Sequence, residues 1–259
     1  MDKNILARNF SRCAAVYDKH ANIQRLAASE LIRELPNSDF RNILEIGCGT
    51  GGYTRLLRER FKNAAIKSVD IAEKMVDVAR QKLKDSEIRF SVEDGEDMDL
   101  ADGYDLVTSN AAIQWFESAE KTIRIYKQIL SNDGVLAFSI FGPLTFGELG
   151  NALKEISAED NSPVASRGFL SKEALEKMLA KSLKKVSVRE VLIKEEYPHL
   201  TRLLEKIKYT GVRGLGLASA SSGRFVWSRG LLKAVEDAYR KEYGHIIATY
   251  QIFLCQALK

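Results

Sequence analysis

LEIGCGTGG, residues 44–52, carries the decision about the fold. The run that leads into it, NILEIG (42–47), has the length and apolar content of a buried strand, and YTRLLRERF (53–61) after it has the spacing of an amphipathic helix. A strand that passes through glycines directly into a helix is how an open parallel sheet lets a ligand approach the backbone and a helix N-terminus. Outward from this stretch the alternation repeats. IKSVD (66–70), IRFSVE (88–93), YDLVTSN (104–110) and GVLAFSIF (134–141) read as strands, while AEKMVDVARQKL (72–83) and AEKTIRIYKQIL (119–130) read as helices. That order predicts an α/β fold whose parallel sheet is covered by helices on both faces.

Before this core, two apolar-periodic helices are expected over Asn4–Tyr17 and Asn22–Leu35, the second ended by Pro36. After it come helices near Phe146–Ser157 and Lys172–Ala180, a strand over Lys185–Ile193 and a helix over Leu200–Lys208. GVRGLGLASASSGR (211–224) reads as a mobile Gly/Ser-rich loop, followed by a helix over Ser228–Tyr243 and a closing strand over His245–Ala257. The expected organisation is one domain over 1–259, with an N-terminal helical lid (1–36), a core (37–142) and an insertion with closing strands (143–259).

Composition sets bounds. A chain of 259 residues that is 45% hydrophobic and 29% charged can bury the core of one large domain. Its apolar runs fall short of the roughly 20 residues a membrane span needs, and MDKNILARNFSR is too polar for a signal peptide, so a cytoplasmic protein without membrane association is expected. Cys13, Cys48 and Cys255 are odd in number and far apart, and His20, His199 and His245 show no ligand spacing, so neither disulfides nor a metal are expected. The net charge of +4 conceals an imbalance: residues 63–160 hold 19 acidic and 10 basic side chains, residues 161–233 hold 6 and 15. The basic stretch is either a solvated face or a surface that steers an anionic partner.

Gly47, Gly49 and Gly52 satisfy the G-x-G-x-x-G spacing of dinucleotide binders, so a nicotinamide or flavin cofactor has to be weighed. Glu45 argues against it: a carboxylate two residues before the first glycine repels a pyrophosphate but suits the ammonium group of an amino acid. S-adenosylmethionine carries that ammonium, an adenosine and no phosphate. Asp70, 23 residues after Gly47, can accept from ribose hydroxyls, a role that serves either cofactor. Asp94 can accept from the adenine amino group with Gly95 leaving room for the ring, or it is an ordinary turn residue.

In order along the chain, ILEIGCGTGG, VDIAEKM, VEDGEDM and YDLVTSNAAIQWF resemble the glycine loop, ribose site, adenine site and fourth-strand exit of the class I S-adenosylmethionine-dependent methyltransferases. The resemblance implies a Rossmann-like seven-stranded sheet with its last strand antiparallel. It also implies S-adenosylmethionine contacts, with S-adenosylhomocysteine as product, at Tyr17, Gln24, Glu45, Gly47, Cys48, Gly49, Asp70, Ile71, Met75, Asp94, Gly95, Glu96, Asn110 and Ala111. Cys48 otherwise reads as a small apolar residue.

NFSRCAAVYDKHANIQ (9–24), SNAAIQWF (109–116), IKYTGVRG (207–214) and VWSRGLLKAVEDAY with ATYQIFL are similar to the BioC family of malonyl-acyl-carrier-protein O-methyltransferases of biotin synthesis. This implies methylation of the free carboxylate of malonyl-acyl carrier protein, an acidic partner with a phosphopantetheine arm. It further implies that Tyr17, Gln114 and Trp115 border the transferred methyl and that Lys208 and Arg213 bind the substrate. A carboxylate is ionised near neutral pH and needs placement rather than a general base. Nucleic-acid amino methylation on this fold uses an Asn/Asp-Pro-Pro-aromatic exit motif, whereas this chain has Asn110-Ala111-Ala112-Ile113, so nucleic acid is not expected. A monomer is expected. Two other classes stay open: a methyltransferase for another small carboxylic acid or a quinone-type ring, and a non-catalytic carrier-protein-binding module.

Overall fold

The computed structural model describes residues 2–84, 87–98, 103–156, 164–212 and 227–259. Seven strands, β1 (Asn42–Ile46), β2 (Ala65–Asp70), β3 (Ile88–Val92), β4 (Tyr104–Asn110), β5 (Leu130–Phe141), β6 (Lys184–Tyr197) and β7 (Ile246–Leu258), form one sheet in the order β3-β2-β1-β4-β5-β7-β6. β1 to β5 are parallel, and β7 runs antiparallel between β5 and β6. The expected Rossmann-like sheet with an antiparallel last strand is therefore present, with that strand inserted one place in from the edge. Strand order reverses between β1 and β4, so the crevice of the sheet opens at their C-terminal ends.

Ten α-helices are described: α1 (Lys3–Cys13), α2 (Tyr17–His20), α3 (Asn22–Glu34), α4 (Gly52–Arg60), α5 (Glu73–Lys82), α6 (Ala119–Ile129), α7 (Gly147–Ile156), α8 (Lys172–Ala180), α9 (Leu200–Ile207) and α10 (Arg229–Tyr243). Because successive strand residues point to opposite faces, Ile43, Leu106 and Leu254 pack against Leu31, Leu57, Leu203 and Val235 of α3, α4, α9 and α10. Leu44, Val107 and Phe138 pack on the other face against Ile123 and Tyr126 of α6 and Leu175 and Leu179 of α8. With both faces covered, the central strands need no polar side, which is why they read as short continuous apolar runs.

Three expectations change. The helix expected over 4–17 is two helices. α1 ends at Cys13, Val16 N–H returns to the Cys13 carbonyl at 2.9 Å, and α2 begins at Tyr17. Ala14 and Val16 keep the apolar period through the turn, and Cys13 and Ala14 at the break pack onto Ala72 and Met75. β5 begins at Leu130 rather than at Gly134, because Leu130 pairs with Tyr104 across an irregularity in register. The helix over 200–208 ends at Ile207 and gives way to one π-helical turn, Lys208–Val212. Of the Gly/Ser-rich stretch, residues 213–224 lie outside the described residues.

Among the described residues no helix is long and apolar enough to cross a membrane. Among them, too, no group of three or more His, Cys, Asp or Glu side chains is placed to hold a metal ion.

Candidate functional site

The glycine loop is pinned to β2 from both ends. Gly47 and Cys48 donate their backbone N–H groups to the Val69 carbonyl at 2.8 and 2.9 Å, and Gly49 N–H donates to Asp70 Oδ2 at 2.8 Å. The other Asp70 oxygen accepts from Ala72 N–H at 2.8 Å, so one carboxylate fixes both the loop and the start of α5. Burial pushes its pKa up, opposed by those two backbone donors. Glu45 lies beneath the loop, 1% exposed, with Oε2 accepting from Ser68 Oγ at 2.7 Å. Its Oε1 is buried with no hydrogen-bond partner among the described residues. Burial drives the Glu45 carboxyl up to about 7, opposed in part by the neighbouring Thr54 and Ser68 hydroxyls.

The exit of β4 is built by its amides. Asn110 Oδ1 accepts from Ser139 Oγ at 2.7 Å, and its Nδ2 donates to the Gln24 carbonyl at 3.1 Å, tying α3 to β4 and β5. Ala111 takes a left-handed φ of 55°, and its N–H donates to Ser139 O and Ser139 Oγ, both at 3.0 Å. Gln114 Nε2 closes the turn on the Ala111 carbonyl at 2.6 Å, while its Oε1 and that of Gln24 are buried without partners among the described residues. The polar residues after an apolar strand thus brace an unusual turn and leave two acceptor oxygens over.

Two clefts meet there. The first, of about 700 Å³ including its mouth, is lined by Tyr17, Gly47, Gly49, Asp70, Ile71, Met75, Asp94, Gly95, Glu96, Asn110 and Ala111, all of them expected, and also by Lys3, Leu6, Phe10, Glu93, Trp115 and Phe116. Its wall combines four carboxylates with apolar side chains, a lining that fits an adenosine joined to a cationic group and opposes a pyrophosphate. Gly95 is one point of close approach: a Cβ there would stand 2.6 Å from Ile46 Cγ2, and its carbonyl accepts from Tyr126 OH at 2.7 Å. Cys48 and Gln24 line an adjoining depression instead, and Glu45 lines neither. Asp94 is not free for a ligand alone, since Lys3 Nζ lies 2.7 Å from its Oδ2 and 2.9 Å from Glu96 Oε2.

The second cleft, of about 630 Å³ including its mouth, is lined by Gln24, Gln114, Phe141, Thr145, Phe146, Ser166, Phe169, Lys206 and Tyr250. Phe10, Tyr17, Ala111 and Trp115 line both clefts and form the wall between them. Its rings interlock: Phe10 lies 6.4 Å from Tyr17 and 6.5 Å from Trp115, and Trp115 meets Phe169 edge-on at 5.8 Å. Burial raises the Tyr17 phenol well above its ordinary range.

The N-terminal helices are anchored on this site. Asp18 accepts from Thr50 Oγ of the glycine loop and pairs with Lys82 of α5, while His20 stacks on Tyr209 of the π turn at 4.7 Å. Sequence reasoning missed Phe10, Asp18 and Lys206. It named Lys208, which is exposed with Nζ 4.9 Å over the Tyr209 ring and lines neither cleft. Lys206 lines the second cleft, two residues earlier. Arg213 lies outside the described residues. Part of the basic excess of residues 161–233 is spent internally: Arg189 on Glu30 and Glu34, Lys181 on Glu120, Arg202 on Glu205.

A family described as "Methyltransferase domain" matches residues 44–138, the segment that runs from the glycine loop to β5. Malonyl-acyl-carrier-protein O-methyltransferase of Bacillus cytotoxicus is 33% identical over 96% of this chain and 90% of its own length. The corresponding protein of Bacillus anthracis is 32% identical over 100% and 98%. Malonyl-acyl-carrier-protein O-methyltransferase 2 of Ilyobacter polytropus is 36% identical over 94% and 92%. Two solved structures share the fold. The YcgJ protein of Bacillus subtilis superposes with a TM-score of 0.59 at 16% identity, covering 90% of this chain and 98% of its own. Haemonchus contortus phosphoethanolamine N-methyltransferase 2 with S-adenosyl-L-methionine has a TM-score of 0.55 at 21% identity, covering 92% and 52%.

Proposed function

The chain belongs to the malonyl-acyl-carrier-protein O-methyltransferases, within the class I S-adenosylmethionine-dependent methyltransferases, and on that footing we propose how its two clefts divide the work. It is a carboxyl O-methyltransferase that uses S-adenosylmethionine to convert the free carboxylate of malonyl-acyl carrier protein to its methyl ester, a step of biotin synthesis. The cofactor supplies an electrophilic sulfonium methyl, and acceptor and donor charges cancel in the product, so no proton has to be moved.

The observation that carries the division is the wall shared by the two clefts. In this reading the carboxylate-lined cleft at the ends of β1 and β2 holds the cofactor, with Asp70 at the ribose, Ile71, Met75 and Gly95 around the adenine, and Asp94 and Glu96 at its rim. Gly47, Gly49, Asn110 and Ala111 flank the methionine side. Cys48 and Gln24 shape the adjoining depression, and Glu45 acts on the ammonium from behind the glycine loop, supported by its unpartnered Oε1. Tyr17, Trp115 and Gln114 border the reacting atoms. Tyr17 and Trp115, with Phe10, put ring surface beside the reacting atoms. In this reading the rings displace water once both ligands are bound, which strengthens electrostatics inside, and they confine the acceptor oxygen. Such orientation contributes several of the roughly 7–11 kcal/mol that positioning supplies in model reactions.

The finer picture, of a cytoplasmic monomer that engages the acidic carrier through its basic C-terminal third and binds no nucleic acid, belongs to the same proposal. The charge imbalance supports the engagement of an acidic carrier, and the Asn110-Ala111-Ala112-Ile113 exit of β4, which lacks a Pro-Pro-aromatic run, supports the exclusion of nucleic acid. A quinone-ring or free-acid acceptor and a non-catalytic module are not favoured, since relatives matched over nearly the whole chain are all named malonyl-acyl-carrier-protein O-methyltransferases. The test offers the protein S-adenosylmethionine with malonyl-acyl carrier protein, malonyl-CoA or free malonate and looks for the methyl ester by mass spectrometry. Ester on the carrier-bound substrate is expected; none on any malonyl thioester would overturn the reading.

A further inference from the structure

A carboxylate and its methyl ester differ by one charge, and the second cleft contains a group able to read that difference. Lys206, in the last turn of α9, is 9% exposed and is the one cation lining this cleft among the described residues. Its Nζ pairs with Glu195 of β6 and lies 5.3 Å from the Tyr250 ring and 5.8 Å from that of Tyr197. An ammonium has three N–H donors and Glu195 engages it from one side, so donors remain for a second anion. Glu195 has other support: Asn22 Nδ2 and Tyr197 OH both donate to it. The same cleft holds the buried, unpartnered Oε1 atoms of Gln24 and Gln114, so a substrate carboxylate cannot be received by those acceptors and has to find its donor elsewhere.

Resting on the carboxyl-methylation reading, we propose that Lys206 is the residue that recognises the acceptor carboxylate, shared between that carboxylate and Glu195. Sharing has two consequences. A carboxylate that met a lone buried ammonium would lose nucleophilicity; Glu195 draws off part of the positive field, so the substrate is held without being neutralised. When the acceptor oxygen forms its bond to the methyl carbon, the electrons of the broken carbon–sulfur bond stay on sulfur and the acceptor becomes a neutral ester. Lys206 then faces one anion, Glu195, and the product has lost its principal tie to the cleft. The site therefore selects anionic acceptors and lets go of what it makes.

The experiment compares wild type, Lys206→Met, Lys206→Arg and Glu195→Gln with malonyl-acyl carrier protein at pH 7, reading KM, kcat, binding of the methyl-ester carrier, and S-adenosylmethionine affinity by calorimetry. Loss of a charged hydrogen bond corresponds to about tenfold or more in binding. Lys206→Met is expected to raise KM by about that factor, to abolish the preference for the malonyl over the methyl-ester carrier, and to leave cofactor affinity within about twofold. Lys206→Arg is expected to recover most of the preference. Glu195→Gln is expected to lower KM and kcat together, a split that general destabilisation does not produce. Wild-type KM and preference in Lys206→Met would overturn the proposal. Should that variant not fold, Glu195→Gln decides alone, and an unchanged or raised KM there overturns it. A wild type that forms no ester defeats the carboxyl-methylation reading instead, so the two failures are distinct.

Discussion

Gly47 and Ala112 face each other so closely that a Cβ on Gly47 would overlap the Cβ of Ala112. The two residues belong to loops leaving the adjacent parallel strands β1 and β4, so the close approach sets the width of the crevice between them. Gly47 also has φ of 73°, which L-residues disfavour. Gly47→Ala is expected to destabilise the fold by about 2–4 kcal/mol in urea titration and to weaken S-adenosylmethionine binding about tenfold or more. Unchanged cofactor affinity would show that the crevice tolerates widening.

Glu45 makes the protein's behaviour depend on pH. Its folded pKa of about 7 stands above the ordinary glutamate value of 4.5, so the folded state holds a proton that the unfolded state has released between those limits. Stability is accordingly unaffected by this group below about pH 4.5, falls as pH rises through the window, and has lost roughly 3 kcal/mol above pH 7. Glu45→Gln is expected to remove that slope in denaturation curves recorded from pH 5 to pH 8. A nearby ammonium favours the ionised form, so cofactor affinity in wild type is expected to rise from pH 6 to pH 8 and to be flatter and weaker in the variant.

Tyr17 sits in the wall between the clefts and adjoins the depression next to the glycine loop. Tyr17→Ala opens that wall to water and frees Phe10 to move. The expected result is a fall in kcat/KM of about 10- to 100-fold, carried mainly by kcat. A change confined to KM for the carrier would reassign Tyr17 to acceptor binding alone.

Lys3 bridges α1 to Asp94 and Glu96 at 2.7 and 2.9 Å, across the rim of the cofactor cleft. The pairs are partly exposed, so their contribution is small and sensitive to salt. Lys3→Ala is expected to speed cofactor release about two- to fivefold in stopped-flow measurements, and 0.5 M salt (about a 4 Å Debye length) is expected to reproduce part of that effect in wild type. Equal release rates would show that α1 is held by its apolar face.

The sheet and the acidic residues at its strand ends were legible because strand periodicity and the glycine-to-acid spacing are local signals, although Glu45 lies behind the first cleft rather than in its wall and Glu93 in that wall was not singled out. Glu45, Asp70 and Asp94 stand at successive strand ends, and counting residues finds them. The acceptor side was less legible. Lys206 and Lys208 are two residues apart, which on a helix places them on nearly opposite faces, so at most one can point into a cleft. Composition cannot tell which, and the family resemblance pointed to Lys208; it is Lys206, in the last turn of α9, that lines the second cleft. Phe10 was hidden for another reason: its role depends on the turn after Cys13, which the apolar period of residues 4–17 runs straight through. Asn110 was placed correctly at the strand exit, but its bonds to Ser139 and to the Gln24 carbonyl involve residues 29 and 86 positions away.

β7 lies between β5 and β6, and β6 has no other neighbour in the sheet. The ladder from β1 to β5 closes within residues 42–141, whereas Tyr250 enters its cleft only when a strand more than a hundred residues further on slots into a gap. Contacts of long sequence separation form late because loop closure has to precede them. The order of assembly is thus built into the topology: on a growing or refolding chain the cofactor half can take shape first. The half that receives the acceptor, together with the edge strand, waits for residues 246–258. Pulse-labelled hydrogen exchange is expected to show amides of β1 and β4 protected before those of β6 and β7.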